Sequence, residues 1–185
     1  MRSEYTQRFR PMRGATVLEI LVTLTVVSLG LLGVAGLQTN ALKSNHDAYM
    51  YSMASFLAND IAERMRANVR GVRAGHYQRA TAGASLPTGA NCRTATCTAQ
   101  QMAYHDLDQW LTNRVANDLP SGDALIASSD WAPTAGVDVV GNPIPAPVAI
   151  DITLIWQGRI GGNCNSAGTL DAGTTHKCFK VTVQI

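Results

Sequence analysis

At 185 residues the chain is long enough for one domain with a proper core, and too short for two once an apolar anchor is set aside. Of its 15 basic and 13 acidic residues, four Arg and one Glu lie in residues 1–14. The formal net charge of +2 therefore belongs to that stretch: the remainder carries 11 basic against 12 acidic side chains and gives no global argument for a nucleic-acid partner.

Arg2, Arg8, Arg10 and Arg13 face only Glu4, and from Ile20 to Leu42 there is no charged side chain. An Arg-rich flank ahead of an apolar helix reads as the untranslocated side of a membrane span. About 20 apolar residues at 1.5 Å rise cross a hydrocarbon core of about 30 Å, and Ile20–Leu37 meets that length. Two rival readings are a secretory signal cut at the small-x-small site Gly33-Val34-Ala35, and a plain anchor with Glu19 in a favourable first turn. Glu19 is the feature that needs a reason. A carboxylate at the centre of a membrane helix costs about 2.5–3.5 kcal/mol, and such groups are normally paired.

No Pro occurs between Met12 and Pro87 and no Gly between Leu37 and Arg70, so one helix is expected from about Thr16 to Asn68. Its second half carries an apolar stripe, Tyr49, Met53, Phe56, Leu57, Ile61 and Met65, that requires a globular partner. Asp60 and Arg64 stand one turn apart as a solvated pair. Arg66, Arg70 and Arg73 form a basic strip near the helix end, with no aromatic interleaving to recommend it as a nucleic-acid site. Gly71–Ala90 is rich in Gly, Ala and Thr and reads as an irregular loop.

Thr98 with Gln101 makes a capping box, and Met102, Leu107, Leu111 and Val115 continue at near-helical spacing up to Pro120. Trp110 is expected to close the core edge, and His105 with Asp106 and Asp108 to form a solvated face. After that the period changes to two. Val148, Ile150, Ile152, Leu154 and Trp156 alternate with their neighbours, as do Phe179, Val181, Val183 and Ile185. Two antiparallel strands are expected, with Ala124–Ser128 and Val137–Val140 as further strands and Gly141-Asn142-Pro143 as a turn. The fold class is α+β: a long N-terminal helix, membrane-spanning in its first half, packed against a small antiparallel sheet.

Cys92, Cys97, Cys164 and Cys178 form an even set on the outward side, which favours disulfides. Proximity in sequence suggests Cys92 with Cys97 and Cys164 with Cys178, against a zinc site from three Cys and His176. His46, His76, His105 and His176 are scattered. No Gly-x-Ser-x-Gly elbow is present, and Gly158–Asn163 lacks the Lys-Ser/Thr ending of a phosphate loop, so neither catalysis nor a cofactor is expected.

Gly14 followed by Ala15-Thr16-Val17-Leu18-Glu19 resembles the cleavage signature of type IV prepilins. The runs "VLEILVTLTVVSLGLLGVAGLQTNAL" and "AYMYSMASFLANDIAERMRAN", the short Cys loop, "HDLDQWLTNRVANDLP" and the tail "ITLIWQ…CFKVTVQI" look like a PilV-type minor pilin. Ala15 stands where Phe is usual, the leader is longer than the common form, and Gly30, Gly33 and Gly36 stand where major pilins carry a Pro. The resemblance implies that a prepilin peptidase cuts between Gly14 and Ala15, and that Glu19 pairs with the freed Ala15 amine of a neighbouring subunit. It divides the chain into a leader (1–14), a membrane and filament-core half-helix (15–38), an outer half-helix (39–70) and a globular region (71–185).

The function it implies is that of a minor pilin. Such a protein is held in the inner membrane with its outer domain in the periplasm, then joins other minor and major pilins through the inner-membrane assembly platform to start or cap a type IV pilus. Adhesion and twitching motility follow from a place near the pilus tip, and no nucleic-acid partner is expected. The alternatives are a pseudopilin of a type II secretion or DNA-uptake system, and a membrane-anchored periplasmic binding module.

Overall fold

The computed structural model describes residues 14, 16–86, 91–128, 136–137, 143–144, 147–158, 164 and 175–185. Helix α1 runs Val17–Ala67, as the absence of Pro and the late Gly require. Its residues are divided between two compact units, Met1–Asn45 and His46–Ile185. In the first, every described side chain is exposed up to Asn45. The second contains the core.

Within that second unit the buried residues of α1 are Met50, Ala54, Leu57, Ala58, Ile61, Ala62 and Met65. The expected stripe is thus out of phase at its start: Tyr49 and Phe56 are 56% and 58% exposed. Ala54, Ala58 and Ala62 share the inward face with the larger Met50, Leu57, Ile61 and Met65. Asn68 then breaks the helix and caps the short α2 (Val69–Arg73), its Oδ1 accepting from the Gly71 N–H at 3.2 Å. Its Nδ2 donates to the Ala99 carbonyl at 2.7 Å, which seats α2 on the start of α3.

Helix α3 (Ala99–Trp110) opens with the Thr98–Gln101 capping box: Gln101 N–H to Thr98 Oγ1 is 3.2 Å and Thr98 N–H to Gln101 Oε1 is 3.0 Å. It continues through a π-helical turn, Leu111–Val115, into α4 (Ala116–Asp118). The wider i→i+5 turn keeps the four-residue spacing of Leu107, Leu111, Val115 and Leu119 on the buried side. Trp110 lies inside the core and not at its edge. It is fully buried, and its indole N–H donates to the Leu57 carbonyl of α1 at 2.9 Å.

Strands β1 (Asp123–Ser128), β4 (Ala149–Gln157) and β5 (His176–Gln184) form an antiparallel sheet of order β1-β4-β5. A separate pair, β2 (Gly136–Val137) and β3 (Pro143–Ile144), flanks positions 138–142. The rest of the expected Val137–Val140 strand and most of the Gly141-Asn142-Pro143 turn lie outside the described residues. The register sets Ile150 opposite Val183, Ile152 opposite Val181 and Leu154 opposite Phe179, so the alternating apolar residues of both strands share the face that packs on the core. Tyr51 of α1 meets Trp156 edge to face, with ring centroids 5.1 Å apart.

The segment after α2 is not a free loop. Tyr77 is buried and Arg79 nearly so, and Arg79 exchanges backbone hydrogen bonds with Ile126 at 2.8 and 3.0 Å, covering the outer edge of β1. The Arg79 guanidinium donates to Asp123 Oδ1 at 2.6 Å, to the Ala124 carbonyl, and to the Ala84 carbonyl at 3.1 Å. Near the start of β5, Lys177 reaches Asp47 of α1 at 2.5 Å.

Candidate functional site: the exposed apolar helix and the Glu19 turn

Thr16 starts α1. Its hydroxyl and carbonyl oxygens accept from the Glu19 N–H at 3.3 and 3.0 Å, so Glu19 sits in the first turn, where the positive helix end favours a carboxylate. Among the described residues the Glu19 side chain has no ion-pair partner. Gly14 is exposed two residues before Thr16, and Ala15 lies outside the described residues.

From Val17 to Leu42, fourteen large apolar side chains are exposed, and the span is long and apolar enough to cross a membrane. Burying each is worth about 1.5 kcal/mol or more, so the total is far beyond the usual stability of a domain and the segment requires an apolar cover. Its hydroxyl groups are already satisfied. Thr23 donates to the Ile20 carbonyl at 2.9 Å, Thr25 to Val22 at 2.8 Å, Ser28 to Leu24 at 2.6 Å and Thr39 to Ala35 at 3.0 Å. With the hydroxyls turned onto their own backbone, the helix can enter lipid or a protein core without stranding a donor. A Cβ added at Gly30, Gly33 or Gly36 would meet nothing within 4 Å, so nothing inside the chain demands glycine at these positions.

The outer unit carries its own polar network. Tyr77 Oη donates to Asp106 Oδ2 at 2.6 Å, Arg64 stands 3.9 Å from Asp106 and 3.2 Å from Asp60, and Asn68 Nδ2 reaches Tyr77 Oη at 3.3 Å. Asp106 is therefore not part of a solvated face. Burial, partly offset by the Tyr77 hydrogen bond and Arg64, raises its pKa above the usual carboxylate value. Burial, reinforced by the bond to Asp106, likewise raises Tyr77. The network ties α1, α2 and α3 together. Sequence patterning missed it because Tyr77 falls in a Gly/Ala/Thr-rich stretch.

Cys92 is joined to Cys97 and Cys164 to Cys178, with Cα–Cα separations of 5.6 and 5.9 Å. The sulfurs are committed to these bonds, so the zinc set of three Cys and His176 does not form. The second bridge sits on the outer face of the sheet, where Cys164, Cys178 and Ile155 make a small cluster of their own.

Elements α2, the Cys92–Cys97 loop and α3 as far as Asp108 fall in a stretch with a known relative. Residues 36–108 match a type IV pilin family. Its model is described as Tt1218-like, Type IV pilin Tt1218, and it covers about two-fifths of the chain. No curated protein and no solved structure matches. The match supports a type IV pilin, and with it a structural protein that works among other pilus components. It begins at Gly36, so it is independent of the Gly14–Glu19 motif. Together with the exposed apolar helix it fits a membrane-anchored pilin.

Proposed function

We propose that this chain is a minor pilin of the PilV type, cut by a prepilin peptidase between Gly14 and Ala15 and assembled near the tip of a type IV pilus. The observation that carries the reading is the pairing of an uncovered apolar helix with one carboxylate in its first turn. In the inner membrane, lipid covers the fourteen apolar side chains; in the filament, the equivalent helices of other pilins do so. Each environment has low polarity, and in each Glu19 requires a positive partner. The amine created at Ala15 of a neighbouring subunit supplies it. Open space at Gly30, Gly33 and Gly36 lets another backbone come close.

The test is Glu19→Ala. The variant is expected to insert in the membrane, and its outer unit to fold with both disulfides, because the core and both bridges lie within His46–Ile185. Its recovery in sheared pilus fractions and in crosslinks to other pilins should fall sharply. Wild-type incorporation of the variant would overturn the pairing role.

A further inference from the structure

The two edges of the three-stranded sheet differ. At β1 the outer edge is taken, since Arg79 exchanges backbone hydrogen bonds with Ile126 at 2.8 and 3.0 Å. Along β5 successive residues turn their backbone groups to opposite sides. Ile185 exchanges bonds with Val148 at 2.8 and 3.0 Å and the Thr175 carbonyl accepts from the Gly158 N–H at 2.7 Å, so odd-numbered residues face β4. Even-numbered residues face away: the His176 carbonyl accepts from the Cys164 N–H at 3.2 Å on that outer side. Further along, the N–H and C=O groups of Lys180, Thr182 and Gln184 have no backbone partner among the described residues, and all three residues are exposed.

Strand edges are ordinarily blunted by Pro, by a bulge or by a charge. β5 holds no Pro, and its register with β4 runs unbroken from His176 to Gln184. Its exposed charge, Lys180, is drawn inward to Asp151 of β4 at 2.8 Å, and the same carboxylate accepts from Thr182 Oγ1 at 2.6 Å. On the opposite face Phe179, Val181, Val183 and Ile185 pack on the core yet stay only half-buried. The edge therefore offers six backbone groups and an apolar margin beside them.

We infer that the edge of β5 from Lys180 to Gln184 takes an extended strand of a different protein, one that alternates apolar and polar residues and carries a carboxylate opposite Lys180. Backbone pairing supplies the affinity, and the alternation with its one charge supplies the register. Charge selects the occupant. β5 bears His176, Lys177 and Lys180 and no acid, so the same strand of a second copy would bring only like charge. Of the two long strands that do bear an acid, β4 is paired on both sides, and β1 has its edge covered by Arg79 and its Asp123 held by that side chain at 2.6 Å. A foreign Asp or Glu opposite Lys180 would continue the alternation of sign that Asp151 and Lys180 begin. This surface lies wholly within His46–Ile185, so its test stands apart from that of the Glu19 pairing.

The probe is a fluorescein-labelled peptide, Thr-Val-Thr-Val-Glu-Val-amide, which laid antiparallel from Gln184 to Phe179 sets its Glu opposite Lys180. The full chain in nonionic micelles is titrated into it and read by anisotropy, and the seat is read by amide exchange. In the chain alone the amides of Lys180, Thr182 and Gln184 should exchange fast and those of Phe179, Val181 and Val183 slowly. At about 1 mM peptide the first three should slow at least about threefold. Replacing the peptide's Glu by Lys should weaken binding about fivefold, and Lys180→Glu in the protein should reverse that preference. No binding of either peptide at about 1 mM, or a preference that Lys180→Glu leaves unchanged, would overturn the assignment. So would slow exchange of the three amides before any peptide is added, which would place a segment of this chain or a second copy on the edge already.

Discussion

Replacing Trp110 by Phe probes the joint that holds α3 to the buried half of α1. The indole is fully buried and its N–H donates to the Leu57 carbonyl at 2.9 Å across 53 residues of sequence. Losing that bond costs about 1 kcal/mol. The missing part of the ring leaves a cavity in the core that cannot collapse fully, for about 1–2 kcal/mol more. The sum, about 2–3 kcal/mol, divided by a urea slope of about 1–3 kcal/mol per molar, moves the midpoint down by about 0.7–3 M. Urea unfolding of the full chain in nonionic micelles, followed by near-UV circular dichroism, measures the shift. Phe56→Ala serves as comparison: that ring is 58% exposed, with the Arg114 guanidinium 5.8 Å from its centroid, and should cost less than about 1 kcal/mol. Equal effects of the two changes, or a Trp110→Phe shift under about 0.5 kcal/mol, would refute this account of the core.

The same assay reads two further changes. Because burial raises Asp106 above its ordinary value of 3.8, the folded chain holds that proton more tightly than the unfolded one. Its contribution is complete below that value and is lost as pH rises through the folded pKa. Wild type should therefore lose stability relative to Asp106→Asn on going from about pH 4 towards neutrality, and parallel pH curves would contradict the buried placement. Changing Cys164 and Cys178 together to Ala opens a loop that closes over a sequence separation of 14, which should cost about 3 kcal/mol. Reductant opens both bridges and should lower the wild-type midpoint below that of the variant, the tighter Cys92–Cys97 loop adding about 2 kcal/mol in the same chain-entropy relation.

The parts of the fold legible in the sequence are those whose signals are local. The Thr98–Gln101 capping box, the period-two runs of β4 and β5, and the absence of Pro from α1 and of Gly from its second half each need only neighbouring residues to be understood. What was hidden depends on partners far along the chain. Ala54, Ala58 and Ala62 lie on the inward face of α1, so weighting large side chains put Tyr49 and Phe56 on the wrong side. Tyr77 and Arg79 look like loop residues until Asp106 and Asp123, 29 and 44 positions away, are brought to them. The candidate site shows the same division: Glu19 stands out because a charge in an apolar run is anomalous by itself, whereas the Asn68–Ala99 contact that joins α2 to α3 spans 31 positions and has no local signal.

The measurement that tests the central claim most directly is the N-terminal mass of the protein taken from its native membrane. A chain beginning at Ala15 is the expected result, because only cleavage there creates the amine that Glu19 needs. A functional chain that still begins at Met1, or that begins after Ala35, would contradict the account.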